Sequence, residues 1–123
     1  MTILPIATGR GQNDREHYMA RARRVAKEKE AVAWSLKMMQ RPALPCVVVL
    51  TRRAPSGGLD DDNLVGALKG VRDAVAEWLG VDDGDVRRIR FKYAQERAPW
   101  SVRIEFAPPV KGMQGELELQ HAE

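Results

Sequence analysis

Ile89-Arg90-Phe91-Lys92-Tyr93 and Trp100-Ser101-Val102-Arg103-Ile104-Glu105-Phe106 alternate strictly between apolar and polar side chains. Successive side chains of a strand point to opposite faces, so each stretch reads as a strand with one buried and one wet face. Ile89, Phe91, Tyr93, Val102, Ile104 and Phe106 belong to the buried set, with Trp100 on the same side and half-buried; Arg88, Arg90, Lys92 and Arg103 belong to the polar set. Residues 94–99 between them suit a hairpin loop, which predicts that the two strands are neighbours.

Upstream of these strands the period changes from two to 3.6. Leu64, Leu68, Val71, Val75, Trp78 and Leu79 fall on one helical stripe, which predicts a single helix over residues 62–79, with Gly80 as its C-cap. Val47-Val48-Val49-Leu50-Thr51 is apolar on both faces and reads as an interior strand. Residues 52–59, with Pro55 and Gly57-Gly58, read as a loop. Residues 14–40 are rich in Ala, Arg, Lys and Glu and read as a long helix, and residues 3–7 as a short strand. The order β-α-β-α-β-β predicts a small single α+β domain over residues 1–107, with a mixed sheet and two helices, and a mobile tail over 108–123.

A chain of 123 residues suffices for one core. The single cysteine, Cys46, excludes an internal disulfide, and its place in an apolar run predicts a buried thiol. No apolar run approaches the ~20 residues of a membrane span, and no secretory signal opens the chain, so a cytoplasmic protein is expected. Trp34 and Trp78 are expected in the core. The net charge is segregated. Residues 1–53 carry eleven Lys and Arg against four Asp and Glu, while residues 54–107 carry eight against ten. A basic half beside an acidic one suits a surface that grips phosphates next to a site that binds a cation.

The acid is concentrated in two knots, Asp60-Asp61-Asp62-Asn63 before the second helix and Asp82-Asp83-Gly84-Asp85 after it. One aspartate suffices to cap a helix, and three in a row repel one another unless a cation or a helix end holds them. An EF-hand is excluded, because counting from Asp60 places Val65 at the glycine position and Val71 at position twelve. Magnesium requires less: one or two carboxylates, water and a substrate phosphate. Asp60 and Asp62, two apart in an extended entry to a helix, would share a face. The second knot, by itself, reads first as a solvated turn, and its weight comes from pairing with the first knot. His17 and His121 are too isolated for a zinc site or a triad.

The stretch Leu59-Asp60-Asp61-Asp62-Asn63-Leu64, about twenty residues of helix, then Val81-Asp82-Asp83-Gly84-Asp85-Val86 resembles the RusA-type Holliday junction resolvases. The resemblance covers roughly residues 44–107. It implies a homodimeric, Mg²⁺-dependent (or Mn²⁺-dependent) crossover junction endodeoxyribonuclease acting on four-way DNA junctions in recombination and repair. Asp60, Asp62 and Asp83 would be catalytic metal ligands, with Asn63 and Asp82 in support. The family's functional lysine falls at Gly66 here, and Lys69, one turn on, is the candidate substitute. DNA contacts are expected from Arg15, Arg21, Arg24 and Lys27 on the first helix, from Arg72, and from Arg88, Arg90 and Lys92, each of which also suits a plain solvated face. A straight helix of that length would keep Asp62 and Asp83 apart. Either it breaks near Gly70, or Asp83 of one chain completes the site of another. A non-catalytic DNA-binding relative and a purely structural ion site are the alternatives.

Overall fold

The structure, a computed structural model, describes residues 2–5, 8, 18–55 and 57–109. Seven elements follow one another: β1 (Thr2–Leu4), α1 (Tyr18–Leu36), β2 (Cys46–Ala54), α2 (Asp61–Ala67), α3 (Lys69–Leu79), β3 (Ile89–Arg97) and β4 (Ser101–Ala107). The α+β class and mixed sheet expected from the sequence are found. Sequence positions 6–7 and 14–17, given to the first strand and helix above, and 110–123 of the expected tail, lie outside the described residues, as do Arg15, His17 and His121.

The strand order is β1-β4-β2-β3. The expected hairpin is therefore not formed, because β2 lies between β3 and β4. It runs parallel to β3, pairing Cys46 with Ile89 through Ala54 with Arg97, and antiparallel to β4. β3 continues to Arg97, so the predicted loop over 94–99 shrinks to residues 98–100. These pass over the end of β2, where the Ala98 N–H donates to the Ala54 carbonyl at 3.0 Å. β2 likewise runs beyond Thr51 to Ala54, consuming residues expected in a loop.

Side-chain alternation holds throughout. Cys46, Val48 and Leu50 join Ile89, Val102, Ile104 and Leu4 in one core with Val32, Leu36, Leu64, Leu68, Val71, Val75 and Leu79 of the helices. Burial pushes the Cys46 thiol pKa up, as expected of a structural cysteine. Trp78 packs against this core and meets the Phe106 ring at 5.7 Å. Trp34 does not: it is 66 % exposed on the outer side of α1, with Lys37 over its ring. The buried residues of α1 are Glu28, Val32 and Leu36, one every four residues, a stripe too narrow to include it. Glu28 is neutralised by Arg24 at 2.8 Å and faces Gly70 of α3. A Cβ at Gly70 would stand 3.2 Å from the Val25 carbonyl oxygen, so the glycine sets the close approach of α1 and α3. No helix among the described residues is long and apolar enough to cross a membrane.

The other sheet face carries an ion cluster. Glu96 accepts from Arg53 at 2.9 Å and from Arg103 at 2.6 Å. The Arg53 hydrogen bond, with help from Arg103, holds the Glu96 carboxyl below the usual carboxylate range. A lowered folded-state pKa stabilises above the unfolded value, and that contribution disappears as pH falls through the folded one. The melting-temperature gap between wild type and Glu96→Gln should therefore be open at neutral pH and close in acid, below about pH 4. A gap independent of pH would deny the cluster this role.

Candidate functional site

Asp60 is the N-cap of α2. Its backbone is extended, with φ −68° and ψ 170°, and its Oδ1 accepts from the Asn63 N–H at 2.9 Å. Asp61 and Asp62 already lie within the helix, in its first turn, where the dipole favours negative charge. The expected shared face of Asp60 and Asp62 assumed that both were extended, and only Asp60 is. All three aspartates are exposed.

The single helix expected over residues 62–79 is two. α2 ends at Ala67 and α3 starts at Lys69, joined at Leu68, whose φ of −100° and ψ of 7° leave the helical region. The Leu68 N–H is shared between the carbonyls of Leu64 and Val65, each at 3.2 Å, and its own carbonyl accepts from Arg72 at 2.9 Å. The break falls two residues before Gly70. α3 then ends at Gly80 as expected, with φ +73°, a left-handed cap that suits glycine.

Beside this joint lies a recess of about 280 Å³, lined by Val65, Gly66, Lys69, Arg72, Asp73 and Asp83. Asp62 is three and four residues before Val65 and Gly66, hence on the same side of α2 one turn away. Asp83 and the face of α2 that carries Asp62 thus flank one hollow within one chain. Lys69, the candidate substitute that the resemblance suggested, stands on the rim, largely exposed and 3.5 Å from Asp73. The rest of the second knot makes a turn: Asp82 Oδ1 accepts from the Gly84 N–H at 2.9 Å, and Asp85 Oδ1 from Arg87 at 3.2 Å. Only Asp83 faces the helices.

Asp83 is clamped by Arg72, the Nε of which is 3.2 Å from Asp83 Oδ2. The approach is close but poorly aligned, since Arg72 Nε makes no well-directed hydrogen bond. Arg72 Nη1 donates to the Tyr93 hydroxyl at 2.9 Å, and the guanidinium lies 5.2 Å from the Phe91 ring centre. Arg72, expected to contact DNA, turns inward, with Nη1 on the Tyr93 hydroxyl and Nε and Nη2 toward Asp83. Burial pushes the Tyr93 hydroxyl pKa up, and the negative charges of Asp83 and Asp73 add to the rise against the opposing pull of Arg72. Tyr93→Phe should cost about 1–2 kcal/mol in a urea melt, by removing the acceptor of a charged donor. An unchanged midpoint would mean that the clamp does not depend on Tyr93.

Carboxylate oxygens are hard donors that suit Mg²⁺ or Mn²⁺. Yet among the described residues no three Asp, Glu, His or Cys side chains are grouped to hold a metal ion. The reasons are local: Asp60 gives an oxygen to the cap, and Asp83 is engaged by Arg72. A lone chain offers Asp60 and Asp62 as exposed carboxylates two residues apart, one at the cap and one inside the first turn of α2.

The remaining basic candidates are scattered. Arg24 is paired with Glu28, and Arg88 lies 3.6 Å from Asp85. Arg21 and Lys27 are on α1, and Arg24 and Lys27 border a groove of about 490 Å³ there. Arg90 and Lys92 stand opposite Val47 and Val49 on the sheet face away from the helices. They alternate with Phe91 and Tyr93, so they point away from the sheet face on which the helices and the acidic knot lie. Two residues that the sequence reading passed over anchor the knot instead. Tyr93 positions Arg72. Gln95 holds Leu59, the residue before Asp60, by accepting from its N–H at 2.9 Å and donating to its carbonyl at 2.7 Å. A polar residue at a buried-face position, as Gln95 is in the alternation of β3, is the signal that could have found it.

No protein-family model, no curated protein and no solved structure matches this chain. The class that fold and site define is therefore an α+β domain with an acidic helix start beside a basic-rimmed recess, and the family reading rests on the quoted motifs.

Proposed function

We propose that this protein is a Mg²⁺-dependent, structure-specific DNA endonuclease that resolves four-way junctions. One observation carries the reading: the chain after Gly80 returns Asp83 to Arg72, so that Asp83 and Lys69 line one recess with Val65 and Gly66, the turn of α2 that follows Asp62. The two acidic knots are twenty residues apart between Asp62 and Asp82, and nothing in helix capping requires them to meet. Asp60, Asp62 and Asp83 would hold the ion, which supplies Lewis acidity and a water of lowered pKa when bound. The chain's own residues do the rest. Asp60 fixes the helix start. Gln95 pins the segment that presents the knot. Lys69 offers an exposed ammonium for the charge that develops on the phosphate. Arg72 restrains Asp83 while no cation competes for it. The homodimer belongs to the same proposal, as does the supply of a basic DNA-facing surface by α1.

The second reading, a non-catalytic DNA-binding relative, is favoured by Gly66 at the family's lysine position and by the closed Arg72–Asp83 pair. Incubating a labelled four-way junction with the protein and Mg²⁺ separates the two. Paired nicks across the junction support the nuclease. Binding without nicks supports the relative, and the absence of both binding and nicks would sink the DNA reading.

A further inference from the structure

Among the described residues two charged side chains are buried, Glu28 and Arg52. Glu28 has Arg24. Arg52, 4 % exposed, has no carboxylate or hydrogen-bond acceptor among the described residues. Its Nε is sealed from solvent and unbonded, and its guanidinium lies 5.1 Å from the ring centre of Trp100. Burial lowers its pKa, but a guanidinium stays charged in proteins. A ring face attracts the cation without satisfying its N–H groups. A mostly buried guanidinium with no anion beside it is costly to keep, which makes Arg52 a candidate to receive an anionic ligand.

Its place says which ligand. Position 52 has the parity of Val48 and Leu50, so Arg52 is on the helix side of β2. Its register partner on β3 is Gln95, the residue that latches Leu59 next to Asp60. Arg52 and the acidic knot therefore flank the same pinned segment, at the C-terminal ends of the parallel strands β2 and β3, where open sheets with helical crossovers commonly bind ligands. Trp100 reaches this end because residues 98–100 straddle β2. A rigid planar fork of donors, backed by an aromatic ring, matches the paired oxygens of a phosphodiester.

We infer that Arg52, held in place by Trp100, binds a backbone phosphate of the DNA strand next to the one presented to Asp60 and Asp62. The inference rests on the nuclease reading for its strand, but its anion chemistry is tested separately. Junction binding is measured in EDTA between about 50 and 200 mM salt, for wild type, Arg52→Met and Arg52→Lys. Arg52→Met should bind about tenfold more weakly, with the salt slope shallower by about one. Its melting temperature should be unchanged or higher, because an unpaired buried charge is gone. Arg52→Lys keeps the charge and loses the fork, so it should fold and still bind more weakly. In a second arm without DNA, inorganic phosphate should raise the melting temperature of wild type and not of Arg52→Met.

Equal affinity and slope for wild type and both variants would overturn the phosphate contact and leave the DNA reading intact. A fall in stability with unchanged binding would make Arg52 a packing residue and overturn it too. A phosphate shift specific to Arg52, in a protein that binds no junction, would support the anion site and sink the DNA reading.

Discussion

Asp62→Asn should cut a four-way junction at least about a thousandfold more slowly than wild type in Mg²⁺, because loss of several kcal/mol of metal-held transition-state stabilisation costs a decade per 1.36 kcal/mol. Binding to the junction should be unchanged or tighter, since one negative charge beside the phosphates is removed. The substitution is clean for structural reasons. Asp62 is exposed in the first turn of α2 and Asp60, not Asp62, is the capping residue, so the helix start survives. Asparagine has the same size, and only part of a dipole interaction is lost, about 0.3–1 kcal/mol. Asp60→Asn is equally interpretable, because asparagine caps as well as aspartate. Asp60→Ala is not, since cap loss of about 1 kcal/mol would be mixed with the chemistry. A variant Asp62→Asn that cuts like wild type would remove the first knot from the mechanism. Parallel loss of binding and cutting would give it a DNA-holding role instead.

Leu68→Ala should lower the unfolding free energy by about 2–5 kcal/mol, the range for removing a fully buried leucine. Domains of this kind are stable by only about 5–15 kcal/mol, so the loss is a large share of the total. Leu68 is completely buried and sits where α2 gives way to α3. Its side chain joins the cluster formed by Leu64, Val71 and Val75. Alanine can adopt the same backbone conformation, so the cost is a cavity at the joint. The joint sets how α2 stands against Asp83, so Leu68→Ala should also slow cleavage at temperatures where it is still folded. Leu68→Met, which nearly conserves volume, should cost less than about 1.5 kcal/mol. Urea midpoints check both values. A Leu68→Ala protein as stable as wild type would show that the joint is not held by packing.

Much of the candidate site was legible before the fold was known, because its chemistry is carried by residue type. Two carboxylate knots on a basic chain are visible as letters. That the first knot caps a helix start was legible as well, but that Asp60 in particular is the cap was decided by where α2 begins. That Arg72 would turn inward onto Asp83 and Tyr93 was not legible, since an arginine on a helix has the same letter whether it meets solvent or a neighbour. Arg52 was assigned to a loop because Pro55 and Gly57-Gly58 mark a turn just after it. It is in fact the core-side residue of a strand that continues to Ala54.

By itself the sequence determined the α+β class, the inward faces of β3 and β4, the left-handed cap at Gly80 and the buried thiol of Cys46. Each depends on periodicity or on the conformational reach of one residue, and both are local. Only the tertiary structure decided that β2 lies between β3 and β4, that the second helix breaks at Leu68, and that Arg52 meets Trp100. A period of two tells a strand which side to bury but not which strand to lie beside. That choice is made by how three strands and their helices fill one core together.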